Sequence, residues 1–200
     1  MADKEKKIQD ILNKESSLDS RFISDHKELK EVVDFFRKGN KRIVLTQGVY
    51  DLIHEGHAMY LERAKSYGDI LIVGVDSDEL TKKRKGPDRP IVPQEERLKM
   101  LVHLRSVDVV TLKDIDQDIG DLIRLIRPEV LVTSESTSDF TQNLKKEYEE
   151  FCEKIVTIPP TAATSTTARI RNLTIEGANK LSKEIEQITK NFIKKIKGDS

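Results

Sequence analysis

The sequence of 200 residues has a single cysteine, no tryptophan and no excess of charge of either sign. One cysteine, Cys152, cannot form an intramolecular disulfide, which argues against a disulfide-stabilised secreted domain; we expect it to be a half-buried packing thiol. Lysine plus arginine and aspartate plus glutamate number 35 each, unlike the basic balance of nucleic-acid or membrane-surface proteins. The start MADKEKK has no apolar stretch suited to a signal or membrane segment. We therefore expect a cytoplasmic protein whose partners are neither nucleic acid nor membrane.

Five short runs rich in β-branched residues recur along the chain, and each is apolar on consecutive positions rather than alternate ones. The runs begin at Arg42, Asp69, Val107, Glu129 and Lys154. Consecutive apolar residues are typical of strands covered on both faces, as in a parallel sheet, and segments with helical spacing lie between the runs. The alternation predicts an α/β fold: a Rossmann-like, doubly wound, five-stranded parallel sheet with helices on both faces, plus terminal helices. Its ligand crevice is expected outside the carboxyl ends of the strands.

The sequence divides into three predicted segments. Residues 1–24 are charged and are expected to form a loosely attached N-terminal arm; residues 25–175 form the central domain; and residues 176–200 form a lysine-rich amphipathic helix. The apolar stripe of that helix consists of Leu181, Ile185, Ile188, Phe192 and Ile196. This stripe needs a cover, and the alternatives are the same subunit, a second subunit in a homodimer, or a calmodulin-like or membrane-surface role.

The stretch GVYDLIHEGHAMYLERA, from Gly48 to Ala64, follows the first predicted strand. At Gly48 the missing Cβ would let a ligand phosphate approach the backbone. His54 and His57 are three residues apart at the start of the next helix, so both imidazoles can face one point before its N-terminus, and Gly56 lets the chain come close. That point favours an anion.

Two alternatives exist for the histidine pair. Zinc binding is disfavoured because no third histidine is near and Asp51 is the only close carboxylate. The structural alternative is that the two histidines merely cap a surface helix.

A basic segment follows the second predicted strand, where it occupies a loop bounded by proline and glycine. It contains Lys82, Lys83, Arg84, Lys85 and Arg89. Such runs are commonly solvated faces, but this one lies at the carboxyl end of a strand, on the crevice side, which favours a mobile clamp for phosphate groups. Arg97 follows at the start of the next helix. Its alternative role is an ion pair with a glutamate one turn away.

The stretch TIPPTAATSTTARIRNL ends the last predicted strand and begins another helix near Ser165, Thr166 and Thr167. Hydroxyl side chains commonly cap helix starts. Three of them beside unpaired backbone N–H groups also make a socket for an anion.

Taken together, Thr46-x-Gly48-x-Tyr50-Asp51-x-x-His54-x-Gly56-His57 resembles the HxGH signature of the cytidylyltransferase-like nucleotidyltransferase superfamily. The resemblance runs from about Lys41 to Leu173. It implies that the two histidines contact nucleotide phosphates, that Arg97 reaches phosphates from the family's ER position, and that Thr164–Ile170 corresponds to an ISTT-x-I stretch touching the β- and γ-phosphates.

Within this superfamily, KGPDRPIVPQEERLKML followed by LRSVDVV is most similar to the heptose 1-phosphate adenylyltransferase branch, with the glycerol-3-phosphate cytidylyltransferase branch as competitor. Both branches share an Arg-x-Val-Asp stretch, here Arg105, Val107 and Asp108. After the fourth strand the sequence departs from both, because residues 133–139 read TSESTSD in place of KGGDY or GDD. In the family that loop helps to recognise the base or the acceptor. The resemblance therefore leaves open both the nucleotide, ATP or CTP, and the identity of the acceptor.

The resemblance implies in-line attack of an acceptor phosphate on the α-phosphorus of a nucleoside triphosphate, with release of pyrophosphate. The acceptor would be a phosphorylated small molecule such as a sugar phosphate or polyol phosphate. The implied residues near the reaction are His54, His57, Lys83, Lys85 and Arg97; those binding nucleotide are Thr46, Gln47, Gly48, Val49, Tyr50, Asp51, Gly56, Ser165, Thr166 and Thr167; and those binding the acceptor are Arg89, Ser134 and Glu135. Mg²⁺ is expected with the phosphates, and Asp51 is the one candidate carboxylate ligand.

Two other functions remain to be compared with this one. A catalytically silent nucleotide-binding regulatory or scaffold module would keep the fold and the phosphate site without turnover. A dinucleotide oxidoreductase is disfavoured because the turn after the first strand lacks GxGxxG.

Overall fold

The structure is a computed structural model. It describes residues 2–15, 17–135, 140–159 and 166–196. The chain forms two compact units, Met1–Thr161 and Ala162–Ser200.

The first unit is built on a sheet of five strands in the order β3-β2-β1-β4-β5. The strands are β1 (Ile43–Gly48), β2 (Ile70–Asp76), β3 (Val109–Lys113), β4 (Val130–Ser134) and β5 (Lys154–Ile158). Every neighbouring pair is parallel, so the predicted doubly wound parallel sheet is confirmed. The order reverses between β1 and β4, and such a reversal opens a ligand crevice at the carboxyl ends of the two strands.

Helices cover both faces of this sheet. Those of the first unit are α1 (Ala2–Leu12), α2 (Leu18–Arg21), α3 (His26–Lys38), α4 (Glu55–Lys65), α5 (Asp78–Lys85), α6 (Gln94–His103), α7 (Asp121–Ile126) and α8 (Gln142–Tyr148), followed by a 3₁₀ turn at Glu149–Phe151. Alternate residues of β1 point to opposite faces, as strand geometry requires: Leu45 joins the apolar cluster with α1, α3 and α7, and Val44 joins the one with α4 and α6.

The N-terminal residues are part of the core, which corrects the expectation of a loosely attached arm over residues 1–24. Ile8, Ile11 and Ile23 are buried at 6%, 0% and 1% exposure. Phe22 forms a parallel bridge with Val110 of the edge strand β3. The segment therefore contributes to the apolar clusters on both faces and adds a bridge beside the edge strand of the sheet.

The second unit contains one helix, α9 (Thr166–Ile196). The predicted domain boundary between residues 175 and 176 falls inside this helix, whereas the chain divides after Thr161. No helix in the described ranges is long and apolar enough to cross a membrane.

Candidate active site at the start of helix α4

The turn between β1 and α4 has an unusual backbone. Tyr50 and Leu52 have φ angles of 55° and 48°, which lie in the left-handed region that residues with a Cβ seldom adopt. Such conformations persist only where the surroundings hold them, and they cluster at functional sites. The turn brings the chain from the end of β1 directly to His54, the N-cap residue of α4.

The side chains of His54 and His57 both accept hydrogen bonds from backbone N–H groups at the start of α4. The Nδ1 atom of His54 accepts a hydrogen bond from the backbone N–H of Gly56 at 3.1 Å, and Nδ1 of His57 accepts one from the N–H of His54 at 3.3 Å. The ring centroids are 4.2 Å apart. An imidazole whose Nδ1 accepts a hydrogen bond carries its proton, when neutral, at Nε2. Capping and phosphate binding are therefore not alternatives: Nδ1 accepts the hydrogen bond of the helix start, and Nε2 carries the donor N–H.

The His57 ring is held in the neutral state. Burial first, and then the neighbouring His54 and Lys85, lower the pKa of His57 to about 4, while Asp51 opposes the shift. Near neutral pH the ring is thus a hydrogen-bond donor at Nε2 without a positive charge of its own.

This depressed pKa predicts a specific pH dependence of stability. The folded state resists protonation of His57, so the contribution of the neutral ring is complete above about pH 6.5 and is lost as the pH falls towards about 4. We expect the melting temperature of the wild type, minus that of His57→Asn, to decrease over this range in thermal unfolding. His103→Asn, at an exposed histidine of α6, should follow the wild type; parallel curves for wild type and His57→Asn would contradict the neutral assignment.

Gly48 leaves room for the Tyr50 side chain, and the approach of a ligand phosphate at this position stays a prediction. A Cβ at this position would lie 3.3 Å from Cε2 of Tyr50, whose ring also contacts the His57 ring edge-on at 5.8 Å. Thr46 Oγ1 and Tyr60 Oη are hydrogen-bonded at 2.7 Å, and the Tyr60 hydroxyl donates to the Val132 carbonyl. Tyr50 is thus the predicted nucleotide-binding residue that packs against the His57 ring.

Asp51 fixes the segment that follows the basic run, and its role as a magnesium ligand stays a prediction. Its carboxylate accepts hydrogen bonds from the N–H groups of Ile91 and Val92 and pairs with Arg89 at 2.7 Å. Burial raises the pKa of Asp51, but these backbone bonds and Arg89 outweigh it, and the pKa lies below its usual value. Within the described ranges no group of three or more His, Cys, Asp or Glu is placed to hold a metal ion.

The basic segment is helical at its start, which corrects the prediction of a loop. Ser77 caps α5 by accepting from the Leu80 N–H, and the basic residues fall in the last turn, where the helix dipole favours positive charge. Lys83 and Lys85 are exposed, and Lys85 lies close enough to His57 to lower its pKa.

Sequence inspection missed a buried ionic cluster next to this helix. Asp76, at the end of β2, pairs with Arg84 of α5 and lies 3.7 Å from Nζ of Lys113, its register partner on β3. Asp76 and Lys113 are each 1% exposed. Opposite charges at the ends of two predicted neighbouring strands were the available signal.

Arg97 is buried and hydrogen-bonded within the protein, and its contact with nucleotide phosphates stays a prediction. It is 0% exposed, and its guanidinium donates to three carbonyls and pairs with one carboxylate. The acceptors are Val92 O, Val49 O, Asp76 O and Asp78 Oδ1. Arg97 therefore ties the histidine turn to the end of β2 and to the start of α5, and its partner is an aspartate of another helix rather than a glutamate one turn away.

The remaining predicted residues belong to the end of β4 and to the segment around the start of α9. Ser134 and Glu135 are at the carboxyl end of β4, where the Glu135 N–H bonds the Ile158 carbonyl. Ser165 lies outside the described residues, and Thr166 and Thr167 are described only as the first residues of α9. Burial raises the pKa of the Cys152 thiol to about 11, which agrees with a packing role and not with a nucleophile.

These features define a class of protein. The strand order of the doubly wound parallel sheet reverses at β1, and the helix that begins after this strand carries two imidazole donors at its N-terminus. A basic helix end lies beside them. Such an arrangement binds polyphosphate. The fold and site are those of a nucleotidyltransferase.

Comparison with known proteins gives the family. A sequence profile described as Cytidylyltransferase-like matches residues 45–197. The chain belongs to the cytidylyltransferase-like family, so the superfamily indicated by the HxGH motif is confirmed.

Relatives of this chain fall in the predicted branch. It is 44% identical over 111 residues to the bifunctional protein HldE of Nitratiruptor sp. and 38% identical over 147 residues to HldE of Desulfatibacillum aliphaticivorans. These matches cover 56% and 73% of this chain but only 24% and 30% of those proteins. The chain thus matches less than a third of the length of these relatives.

Solved structures support the fold. A lipopolysaccharide core biosynthesis protein from Thermoplasma volcanium is similar with a TM-score of 0.54 and 27% identity, covering 61% of this chain and 99% of that one. A pantoate-beta-alanine ligase from Francisella tularensis, complexed with an ATP ligand and beta-alanine, has a TM-score of 0.58 at 18% identity, covering 80% and 77% of the two chains. At that identity the second match shows the fold alone.

Proposed function

We propose that this protein transfers a nucleoside monophosphate from a nucleoside triphosphate to a sugar phosphate in the cytoplasm, releasing pyrophosphate, with ATP and heptose 1-phosphate as the substrate pair. The observation that carries the proposal is the histidine pair at the start of α4, with Nδ1 of both rings committed to the helix and the His57 ring neutral. The similarity to HldE proteins and to a lipopolysaccharide core biosynthesis protein supports the choice of acceptor.

The chemistry needs no covalent enzyme intermediate. An oxygen of the acceptor phosphate attacks the α-phosphorus in line, the bond from that phosphorus to the bridging oxygen of the β-phosphate breaks, and pyrophosphate leaves. The protein's contribution is to position the groups and stabilise charge. Nε2–H of His57 donates to a non-bridging phosphate oxygen, His54 does the same beside it, and Lys85 neutralises charge on the leaving pyrophosphate.

Magnesium is proposed as a companion of the triphosphate. The chemistry of the donor set supports this, because Asp51 is taken up by Arg89 and two backbone N–H groups and the described residues form no carboxylate cage. Mg²⁺ commonly binds through substrate phosphates and water, where it supplies charge neutralisation.

The direct test is a pyrophosphate-release assay on the purified protein with Mg²⁺. ATP and CTP are each combined with heptose 1-phosphate and with glycerol 3-phosphate. Release that requires both ATP and heptose 1-phosphate supports the proposal. Release with CTP and glycerol 3-phosphate would assign the competing branch, and no release in any combination, beside calorimetric nucleotide binding, would contradict an enzymatic function.

We also propose that the protein is a homodimer through α9. Leu181, Ile185, Ile188 and Phe192 are 55–67% exposed, and their 4-3-4 spacing is that of a two-stranded coiled-coil seam. Of the four positions that flank this seam, one is charged; they are Ser182, Glu184, Thr189 and Asn191. Two copies of the helix can therefore pack together without charge repulsion.

Light scattering after size exclusion tests this dimer. We expect the wild type at twice the chain mass and Ile188→Asp at the chain mass, because a buried, unpaired carboxylate opposes the seam. The matched control is Gln187→Asp, which adds the same charge one residue away on the outer face. A monomeric wild type would contradict the dimer and favour docking of the stripe on its own subunit.

A further inference from the structure

A small cavity lies where β1 and β4 end, at the point where the strand order reverses. Its volume is about 30 Å³, and it is lined by Gln47, Ile119, Leu131, Val132, Thr133 and Phe140. A volume of this size admits one water-sized group. Most of the wall is apolar, so the polar atoms of Gln47 and Thr133 decide which group fits.

The amide of Gln47 is held in one orientation. Its Nε2 donates to the carbonyl of Ile119 at 3.0 Å, and because a carbonyl can only accept, the nitrogen and oxygen of the amide cannot be exchanged. Thr133, by contrast, has its hydroxyl paired with that of Thr157 at 3.2 Å.

The other amide atom, Oε1, is buried and accepts no hydrogen bond from any residue that the structure describes. A buried acceptor without a donor is costly, and such groups are rare in folded proteins. The neighbouring strand leaves room for this side chain and for Leu122: Gly74 is the register partner of Gln47, and a Cβ there would lie 2.7 Å from Leu122 Cδ1 and 3.3 Å from Gln47 Cγ.

We infer that Gln47 is a specificity-determining residue whose Oε1 accepts a hydrogen bond from a substrate O–H or N–H group entering this cavity. The inference rests on the proposed function. Two substrates can supply the donor: a hydroxyl of the sugar phosphate, or the exocyclic amino group of the nucleotide base.

The test compares Gln47→Leu, which removes the acceptor but keeps the size, with the wild type. Dissociation constants for ATP alone and for heptose 1-phosphate alone are measured by calorimetry. Thr111→Val is the control, because it also removes a buried oxygen that has no partner among the described residues, but on β3 rather than at the β1–β4 crevice.

We expect Gln47→Leu to weaken one ligand by about tenfold and to leave the other within about twofold, while the control changes neither. Weaker heptose 1-phosphate binding identifies a sugar hydroxyl as the donor, and weaker ATP binding identifies the base amino group. If Gln47 has only a structural role, Gln47→Leu lowers the melting temperature but leaves the ratio of the two dissociation constants unchanged. Unchanged constants for both ligands overturn the inference.

This result is separable from failure of the proposed function. A wild type that binds both ligands but releases no pyrophosphate refutes the reaction, and the comparison of dissociation constants still decides the role of Gln47. A wild type that binds neither ligand contradicts both.

Discussion

Replacement of His57 by asparagine is expected to reduce the rate constant kcat for pyrophosphate release by about 100-fold or more, the usual cost of removing a positioned donor to a charged transition state. Asparagine is the appropriate substitution because its Oδ1 lies where imidazole Nδ1 lies and can still accept from the His54 N–H. The variant therefore keeps the cap of α4 and loses only the donor at Nε2. The fold should survive, as judged by circular dichroism and the melting temperature near pH 7.

Two further variants separate the ring's roles. His57→Gln puts an amide N–H near the Nε2 position but removes the Nδ1 acceptor, so we expect part of the activity back together with a lower melting temperature. His103→Ala, at an exposed histidine of α6, should change neither. If His57→Asn keeps kcat within about threefold of the wild type, the ring has no part in the transition state.

Replacement of Arg97 by alanine is expected to have the largest effect on stability, about 3 kcal/mol or more in the free energy of unfolding. The substitution removes a fully buried guanidinium and leaves the carbonyls of Val49 and Asp76 without their donor. Chemical denaturation with urea measures the loss. Activity should fall with it, because Arg97 fixes the turn that carries the histidines.

Two arginine controls sharpen this result. Arg97→Lys keeps the charge but lacks the planar set of donors, so we expect an intermediate loss. Arg105→Ala, at an exposed site after α6, should cost less than about 0.5 kcal/mol. An Arg97→Ala protein that keeps wild-type stability but binds nucleotide triphosphate far more weakly would instead restore Arg97 as a phosphate ligand.

The sequence predicted those parts of the fold that depend on local pattern. Consecutive apolar residues located all five strands, and alternation with helices predicted the doubly wound sheet. The i, i+3 spacing of His54 and His57 correctly placed both rings together at one helix start.

Contacts between residues distant in sequence were not predictable in this way. Ile11 and Ile23 belong to a charged stretch whose burial depends on a sheet edge formed some 90 residues later. Arg97 lies in a motif position associated with phosphate, yet its donors are used by carbonyls brought near only when β1, β2 and α6 assemble. Asp51 likewise has its partners about 40 residues further along the chain.

The most direct test of the central claim is a crystal structure with a non-hydrolysable ATP analogue and Mg²⁺. We expect Nε2 of His54 and of His57 to lie within hydrogen-bond distance of phosphate oxygens, about 2.7–3.2 Å, with both Nδ1 atoms still accepting from the backbone. A triphosphate bound elsewhere on the sheet, with the imidazoles contacting none of its oxygens, would contradict the account.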